Sequence, residues 1–234
     1  MKIVKALLVS MFVLSIANSA SAMNFDVKNI KAFGSLDLFT VGTANNRFDQ
    51  QLKDSKKAGD MSSYKIAGDP GYGFRIGALY PVEKVADIGL SWGYISGPHA
   101  DLKIDGVKYI DDINRRFFRL LVEAQKTVEI DSKFSFLGGA GLGMAWGKQE
   151  VVYVSKYAPV SNGIIVDTFD QNFSGFTWEL SAGVTYKATE KMNVDLGVRY
   201  AGFPHAPNLH DVDNNSEVAG MDWRSFGIFT GVHF

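Results

Sequence analysis

The sequence predicts an all-β fold, an eight-stranded antiparallel up-and-down transmembrane β-barrel. Segments in which apolar residues alternate with small or polar residues recur along the chain, as the two-residue period of a β-strand requires. The connections between these segments alternate between short and long, which is typical of barrels in an outer membrane. The last segment, Phe226–Phe234, keeps the alternation and finishes on an aromatic residue.

The N-terminal segment predicts export from the cytoplasm. Lys2 and Lys5 precede an apolar run over residues 6–17, and Ala20-Ser21-Ala22 supplies the small residues of a signal-peptide cleavage site. The run is too short for a membrane-spanning helix, which needs about 20 apolar residues. We expect residues 1–22 to be a signal peptide for Sec-type export and residues 23–234 to form one outer-membrane β-barrel domain.

Composition excludes several classes of protein. The sequence has no cysteine, so we expect neither disulfides nor an anchor on a lipidated cysteine. The formal net charge of −1 gives no reason to expect nucleic acid as a partner. No cofactor is expected.

Eight segments carry the alternation. In order they are Ile30–Val41, Tyr72–Val82, Ile88–Ile95, Phe117–Gln125, Phe134–Gly147, Phe176–Lys187, Met192–Phe203 and Phe226–Phe234. The predicted connections 83–86, 126–133 and 188–191 are short. The connections 42–71, 96–116, 148–175 and 204–225 are long and polar, so we expect them to leave the barrel at the opposite end.

One face of the strands is apolar and carries no charge. From the second to the seventh strand it holds Tyr72, Phe74, Ile76, Ala78 and Tyr80; Ile88, Leu90, Trp92 and Tyr94; Phe118, Leu120, Val122 and Ala124; Phe134, Phe136, Ala140, Leu142, Met144 and Trp146; Phe176, Trp178, Leu180, Ala182, Val184 and Tyr186; and Met192, Val194, Leu196, Val198 and Tyr200. The other face is small or charged. An Arg or Lys facing lipid near the midplane costs about 2–4 kcal/mol, so the charged face must point into the barrel. The alternative is a periplasmic lipocalin-like or sandwich protein, but a soluble lipocalin would have the opposite arrangement.

Closure of the barrel follows from the solvent. Hydrocarbon offers no partner to a free N–H or C=O group, so the first and last strands must pair. This pairing places both termini and the short turns on the periplasmic side, and the four long loops outside the cell.

The inward face predicts a lumen charge network. Its residues are Asp37, Arg75, Arg119, Glu123, Glu179, Lys187, Asp195 and Arg199. Eight strands leave an interior just wide enough to be filled by side chains, and unpaired ions there are costly. We therefore expect paired charges, which form either a plug or a gate that re-forms to pass small ions.

The long loops leave further alternatives open. The mixed charges of residues 47–57 suit either lipopolysaccharide phosphates, a host surface or plain solvation. Asp211, Asp213 and Asn215 resemble the start of a calcium loop. Ser216 stands where glycine is needed and Asp222 where a bidentate Glu is usual, so no metal site is expected.

We also expect no catalytic residues, and no enzyme, because no histidine sits on a strand beside an outward-facing serine. His99, His205 and His210 lie in loops and His233 near the periplasmic end. Loop histidines converging on Ser96 or Ser161 would still make a lipid A-modifying enzyme.

With these features the chain resembles the small outer-membrane β-barrel family, which includes OmpA-type transmembrane domains, OmpX-like proteins and opacity-type surface proteins. The resemblance implies that Phe234 and its alternate neighbours Ile228, Thr230 and Val232 form the signal read by the barrel-assembly machinery. It also implies contact with outer-membrane lipid and lipopolysaccharide. The expected function is a structural or surface-interaction role, with membrane integrity, adhesion or protection carried by the loops. A narrow channel for ions or small solutes is the first alternative.

Overall fold

The computed structural model describes residues 27–39, 54, 57–59, 64–82, 85–97, 99–104, 107–154, 165–204, 209–211, 216–218 and 223–234. The chain divides into two compact units, residues 1–30 and residues 31–234. In the first unit, the described part consists of a short 3-10 helix, Val27–Asn29, and Ile30. Within the described residues, no helix has the length and apolar character needed to cross a membrane.

The second unit is built of β-strands. In chain order they are β1 (Lys31–Phe39), β2 (Tyr64–Asp69), β3 (Gly71–Val82), β4 (Ala86–Ser96), β5 (His99–Ile104), β6 (Val107–Glu129), β7 (Phe134–Val154), β8 (Ile165–Lys187), β9 (Asn193–Phe203), β10 (Leu209–Asp211), β11 (Ser216–Val218) and β12 (Trp223–His233).

Eight of these strands close into an antiparallel barrel. The order around the barrel is β1, β3, β4, β6, β7, β8, β9 and β12, and β12 pairs again with β1. At this seam Asp37 lies opposite Phe229, and the N–H of Phe234 donates to the carbonyl oxygen of Ala32 at 2.9 Å. The predicted fold class is confirmed.

The alternating side chains of the barrel strands form an apolar exterior and a buried interior. Large apolar side chains stand exposed on the outward face of all eight barrel strands; examples are Leu36, Ile76, Leu90, Leu120, Leu142, Leu180, Leu196 and Ile228. Exposed apolar surface of this extent is typical of a surface that contacts lipid. The alternate residues of the same strands point into the lumen.

The strands run farther than the sequence predicted. β6 begins at Val107, β7 continues to Val154 and β8 begins at Ile165, so all three extend into predicted loops. β5 and β2 pair alongside the extended part of β6, and β10 and β11 form a small separate hairpin. The extensions escaped prediction because their outward faces carry charges such as Arg116 and Lys148, whereas backbone pairing does not require an apolar face.

Two turns at one end of the barrel, which we call the turn end, are built alike. In the turn between β6 and β7 the carboxylate of Asp131 accepts hydrogen bonds from the N–H groups of Lys133 and Phe134, both at 2.8 Å. In the turn between β8 and β9 the hydroxyl of Thr189 accepts from the N–H groups of Lys191 and Met192, at 3.2 and 3.0 Å. We call the opposite end of the barrel the loop end.

The glycines of β7 differ in the space around them. A Cβ atom added at Gly143 would lie 1.9 Å from the carbonyl oxygen of Leu120 on β6. At Gly138, on the same strand, the nearest atom is a ring carbon of Phe136 at 3.9 Å. Gly143 therefore allows a close approach of two strands, while Gly138 does not serve this purpose.

We predict that Gly143→Ala lowers the free energy of unfolding by about 1–3 kcal/mol, because the methyl group forces the backbone of β6 away. Urea-induced unfolding from lipid vesicles is the measurement. Gly138→Ala is the matched control and is expected to leave stability unchanged or slightly raised, since it only restricts the unfolded chain. Equal effects of the two variants would contradict the packing described for β6 and β7.

A second prediction concerns pH. The N–H groups of Lys133 and Phe134 hold the pKa of the Asp131 carboxyl below its ordinary value. A carboxyl whose pKa is lowered by folding stabilises the fold above its unfolded pKa, and this contribution disappears as the pH falls through the folded value. The stability difference between wild type and Asp131→Ala should therefore shrink below about pH 4. Thr189→Ala removes the same kind of turn contact without a titrating group, so its stability difference should not vary with pH over this range.

Candidate functional site

The lumen contains a cluster of six charged side chains, which we call the lumen ion cluster. Its members are Asp37 on β1, Arg75 on β3, Arg119 and Glu123 on β6, Glu179 on β8 and Arg199 on β9. Each is at least nine-tenths buried. Each occupies an inward position because the residues on either side of it face lipid. Three guanidinium groups and three carboxylates balance in charge.

Glu179 is the centre of the cluster. Its carboxylate accepts a hydrogen bond from Arg119 Nη1 at 2.6 Å and forms an ion pair with Arg75. The same carboxylate lies 3.4 Å from Arg199 Nε. Replacing this one carboxylate would leave three guanidinium groups short of a partner. In a buried site such an uncompensated charge is far more costly than on a surface.

The remaining carboxylates complete the pairing. Glu123 Oε1 lies 2.7 Å from Arg75 Nη1 and also accepts the hydroxyl of Ser91, while its other oxygen accepts Gln125 Nε2 at 2.9 Å. Asp37 pairs with Arg199, and its second oxygen lies 3.8 Å from Arg119 Nη2. The cluster thus links five strands, β1, β3, β6, β8 and β9, with Arg199 on β9 joined through Asp37 and Glu179.

Glycines on neighbouring strands make room for these long side chains. Gly93 lies between Arg75 and Arg119 in the strand ladder, and Gly141 lies between Glu123 and Glu179. A Cβ atom at Gly141 would meet Glu179 Cγ at 3.0 Å. The inward glycines that mark the sequence therefore let charged side chains cross the lumen.

A layer of aromatic rings closes the lumen next to the ion cluster, toward the loop end. It consists of Phe39, Phe117, Phe173 and Phe203, and we call it the phenylalanine layer. The ring centroid of Phe117 lies 5.0 Å from that of Phe203 and 5.8 Å from that of Phe173. Sequence reasoning missed this layer because it counted the charges on the inward face and left the aromatic residues there unassigned.

Two of the arginines also stack on inward aromatic rings. The guanidinium carbon of Arg199 lies 4.4 Å from the ring centroid of Phe229, and that of Arg75 lies 5.3 Å from the centroid of Phe33. Such contacts between a cation and a ring are strongest where water is excluded. They hold the guanidinium planes in place beside their carboxylates.

Two residues that the sequence predicted for the network lie elsewhere. Asp195 lies nearer the turn end than the cluster does. One oxygen of its carboxylate lies 3.0 Å from His233 Nδ1, and the other accepts a hydrogen bond from the hydroxyl of Thr185 at 2.6 Å. Lys187 is the last residue of β8 and is exposed; it lines a cavity of about 920 Å³ at the turn end. No ion pair among the described residues joins Lys187 to the cluster. Placing Lys187 in the network was a misassignment, because at a strand end the side chain reaches water.

Arg115 and Gln149 are further buried polar residues of the lumen. Arg115 Nε donates to Gln149 Oε1 at 2.7 Å, and the two residues face each other across β6 and β7. Both fall in segments predicted as loops. The sequence signal for them is the inward alternation of Arg115, Phe117 and Arg119, which continues past the apolar band.

The other candidate residues are placed as follows. Ile228, Thr230, Val232 and Phe234 stand exposed on the outward face at the closing strand. Asp54 and Lys57 form an exposed ion pair with an N–O distance of 3.9 Å. The other charged residues between positions 47 and 57 lie outside the described residues. The same holds for His205, Ser161, Asp213, Asn215 and Asp222 and for the side chains of His99, His210 and Asp211. Within the described part of the chain, no group of three or more His, Asp or Glu residues is placed to hold a metal.

A closed eight-stranded barrel with an apolar exterior and a filled, ion-paired lumen defines the class of small integral outer-membrane barrels. The sequence matches the family model described as "Outer membrane protein beta-barrel domain" over residues 6–232, and the chain belongs to this family. The family confirms the resemblance inferred from the sequence and assigns the protein to the outer membrane.

Three solved structures illustrate the likeness of fold. Neisserial surface protein A is 13% identical, with 87% of this chain and 95% of that chain covered and a TM-score of 0.45. OprG from Pseudomonas aeruginosa is 14% identical, with 88% and 95% covered and a TM-score of 0.43. Ail of Yersinia pestis is 10% identical, with 88% and 99% covered and a TM-score of 0.38. At these values the likenesses carry no information on function. No curated protein matches the sequence significantly.

We predict that Glu179→Gln lowers the free energy of unfolding by about 3–5 kcal/mol, because it keeps the shape of the side chain but removes the charge that three guanidinium groups share. Unfolding in urea from lipid vesicles measures it. Lys187→Gln is the control and should change stability by less than about 0.5 kcal/mol, as an exposed residue outside the cluster. A Glu179→Gln variant as stable as the control would contradict the central place of Glu179.

Proposed function

We propose that the protein is a structural and surface-interaction barrel of the outer membrane. Its barrel is a closed scaffold, and its long connections at the loop end act in membrane integrity, adhesion or protection. The observation that carries the proposal is the filled lumen: an unbroken series of buried side chains follows β6 inward, namely Ile113, Arg115, Phe117, Arg119, Leu121 and Glu123. A lumen occupied at every step by side chains leaves the outer surface and the connections as the sites of action.

The turn end faces the periplasm in this proposal, and the loop end faces the outside. Residues 1–22 act as the signal for Sec-type export. Phe234 and the alternate residues before it are read by the barrel-assembly machinery, which is supported by their exposure at the closing strand. Lipopolysaccharide surrounds the loop-end half of the barrel, and a host or surface ligand binds to the connections.

A second candidate function is a narrow channel for ions or small solutes. The observation that favours it is that Nε and Nη2 of both Arg119 and Arg199 have no hydrogen-bond partner among the described residues. Guanidinium groups with unused donors are able to exchange carboxylate partners, which is what a gate requires. The phenylalanine layer argues against this function, because it blocks the path on the loop-end side of the arginines.

The proposal includes no enzymatic activity. Its test is the acyl-chain composition of lipid A in cells that overproduce the protein, compared with cells that do not produce it. The same lipid A in both supports the proposal. A changed acyl pattern with the wild-type protein would point to the third candidate, a lipid A-modifying enzyme.

We predict that the refolded protein gives no defined conductance steps in a planar lipid bilayer, because two layers of side chains close the lumen in series. A barrel of known pore size, recorded under the same conditions, is the control for the detection of steps. Arg119→Ala alone and Phe117→Ala alone should also stay silent, since each leaves the other layer and the remaining buried side chains along β6 in place. Defined conductance steps from the wild-type protein would contradict the closed-scaffold function and support the channel function.

A further inference from the structure

The inward face of the closing strand β12 alternates glycine with aromatic rings. From residue 227 onward its inward positions hold Gly227, Phe229, Gly231 and His233. A Cβ atom added at Gly231 would lie 3.3 Å from Cβ of Ser35 on β1 and 3.8 Å from Cβ of Asp195 on β9. The glycines therefore leave space in which side chains of the two neighbouring strands reach over β12.

Arg199 on β9 uses this space to reach Asp37 on β1. In the strand ladder Arg199 lies opposite Gly227 and Asp37 lies opposite Phe229, so β12 runs between the two charges. The two side chains form an ion pair, and each is at least nine-tenths buried. The guanidinium carbon of Arg199 lies 4.4 Å from the ring centroid of Phe229, so the ring supports the side chain where it crosses β12. We call this ion pair the seam strap.

The two edges of β12 are held differently. On the β9 side, His233 Nδ1 lies 3.0 Å from the carboxylate of Asp195. On the β1 side, the seam joins Phe33–Phe39 to Gly227–His233, which is the shortest of the eight barrel pairings in the described part of the chain. The seam strap is the only ion pair among the described residues that reaches from β1 to β9. If the barrel opens beside β12, we therefore expect β12 to stay with β9 and to part from β1.

We propose that the seam strap holds the barrel shut at the junction of β1 and β12, and that opening of the barrel begins there with its release. Asp37 and Arg199 are 162 positions apart in the chain, so they meet only when the whole barrel has closed. A buried ion pair stabilises only while both partners are in place, and loss of one leaves the other charge uncompensated. The proposal uses only contacts inside the barrel and does not depend on which end faces the cell exterior.

Disulfides test where the barrel opens, because the chain has no cysteine of its own. Leu36 lies opposite Thr230 at the seam, and Ala140 lies opposite Leu180 between β7 and β8; all four are exposed on the outward face. Directly opposite residues of antiparallel strands have Cα atoms about 4.5–5.5 Å apart, which suits a disulfide. The variants are Leu36→Cys/Thr230→Cys, which gives the seam disulfide, and Ala140→Cys/Leu180→Cys, which gives the control disulfide.

The measurement is the rate of unfolding in urea of each variant refolded in lipid vesicles, with the reduced form as reference. A cross-link slows unfolding when it spans a contact that breaks before the transition state. We expect the seam disulfide to slow unfolding about tenfold or more and the control disulfide to slow it less than about threefold. Equal slowing by the two disulfides would overturn the proposal, and this comparison needs no destabilised variant.

Two substitutions in the lumen then test the strap itself. Asp37→Asn removes the ion pair and should unfold about tenfold faster than the wild type, while in the presence of the seam disulfide it should unfold at the same rate as the wild type with that disulfide. Glu123→Gln is the matched control, because it removes a carboxylate of the ion cluster on β6, away from the seam. Its effect on the rate should be the same with and without the seam disulfide. An effect of Asp37→Asn that the seam disulfide leaves unchanged would make Asp37 an ordinary member of the cluster and contradict the proposal.

Phe229→Leu provides a milder variant that keeps an apolar side chain and both charges. It removes the ring beneath Arg199 and should speed unfolding about threefold, again only without the seam disulfide. An unfolding rate equal to that of the wild type would contradict the strap. Conductance is not expected to change with either disulfide, so this proposal and the closed-lumen function fail on different measurements.

Discussion

The structure depends on one constraint, that every backbone N–H and C=O group within hydrocarbon must find its partner inside the protein. The pairing of β1 with β12, the first and last of the eight barrel strands, meets this constraint by closing the sheet between the two ends of the described barrel. Closure then fixes which residues face lipid and which face the lumen, because the side chains of each strand alternate. The apolar exterior, the ion cluster and the small inward residues all follow from this choice.

The narrow lumen sets the second level of organisation. Eight strands enclose a space that side chains can fill, and filling it with charges requires that they be paired. Glu179 meets this requirement by serving three arginines, and glycines such as Gly141 give the long side chains room to cross. The phenylalanine layer adds an apolar barrier next to the polar one. A lumen built in this way is a core, and the outer surface is left to interact with other molecules.

The parts of the fold that lie in lipid were predictable from the sequence, because lipid imposes a face without charge. This is why the strand containing Phe118 and Leu120 and the inward position of Arg119 follow from alternation alone. Outside the lipid band the constraint is absent, so the extensions of β6, β7 and β8 carry charges on their outward faces and read as loops. The partners of individual charges were also beyond prediction. Lys187 and Asp195 share the inward alternation of Glu179, and only their height along the barrel separates them from the cluster.

The central claim is that the lumen is filled, and the accessibility of a buried inward position tests it most directly. Thr177 is fully buried and its hydroxyl donates to the carbonyl oxygen of Gly202 at 2.9 Å, while Ser132 in the turn between β6 and β7 is exposed to water. The chain has no cysteine, so Thr177→Cys and Ser132→Cys each give one reporter without background. In the protein refolded in nanodiscs, a small charged thiol reagent should modify the Ser132→Cys variant readily and the Thr177→Cys variant only after unfolding. Rapid modification of folded Thr177→Cys would show a water-filled lumen and contradict the account.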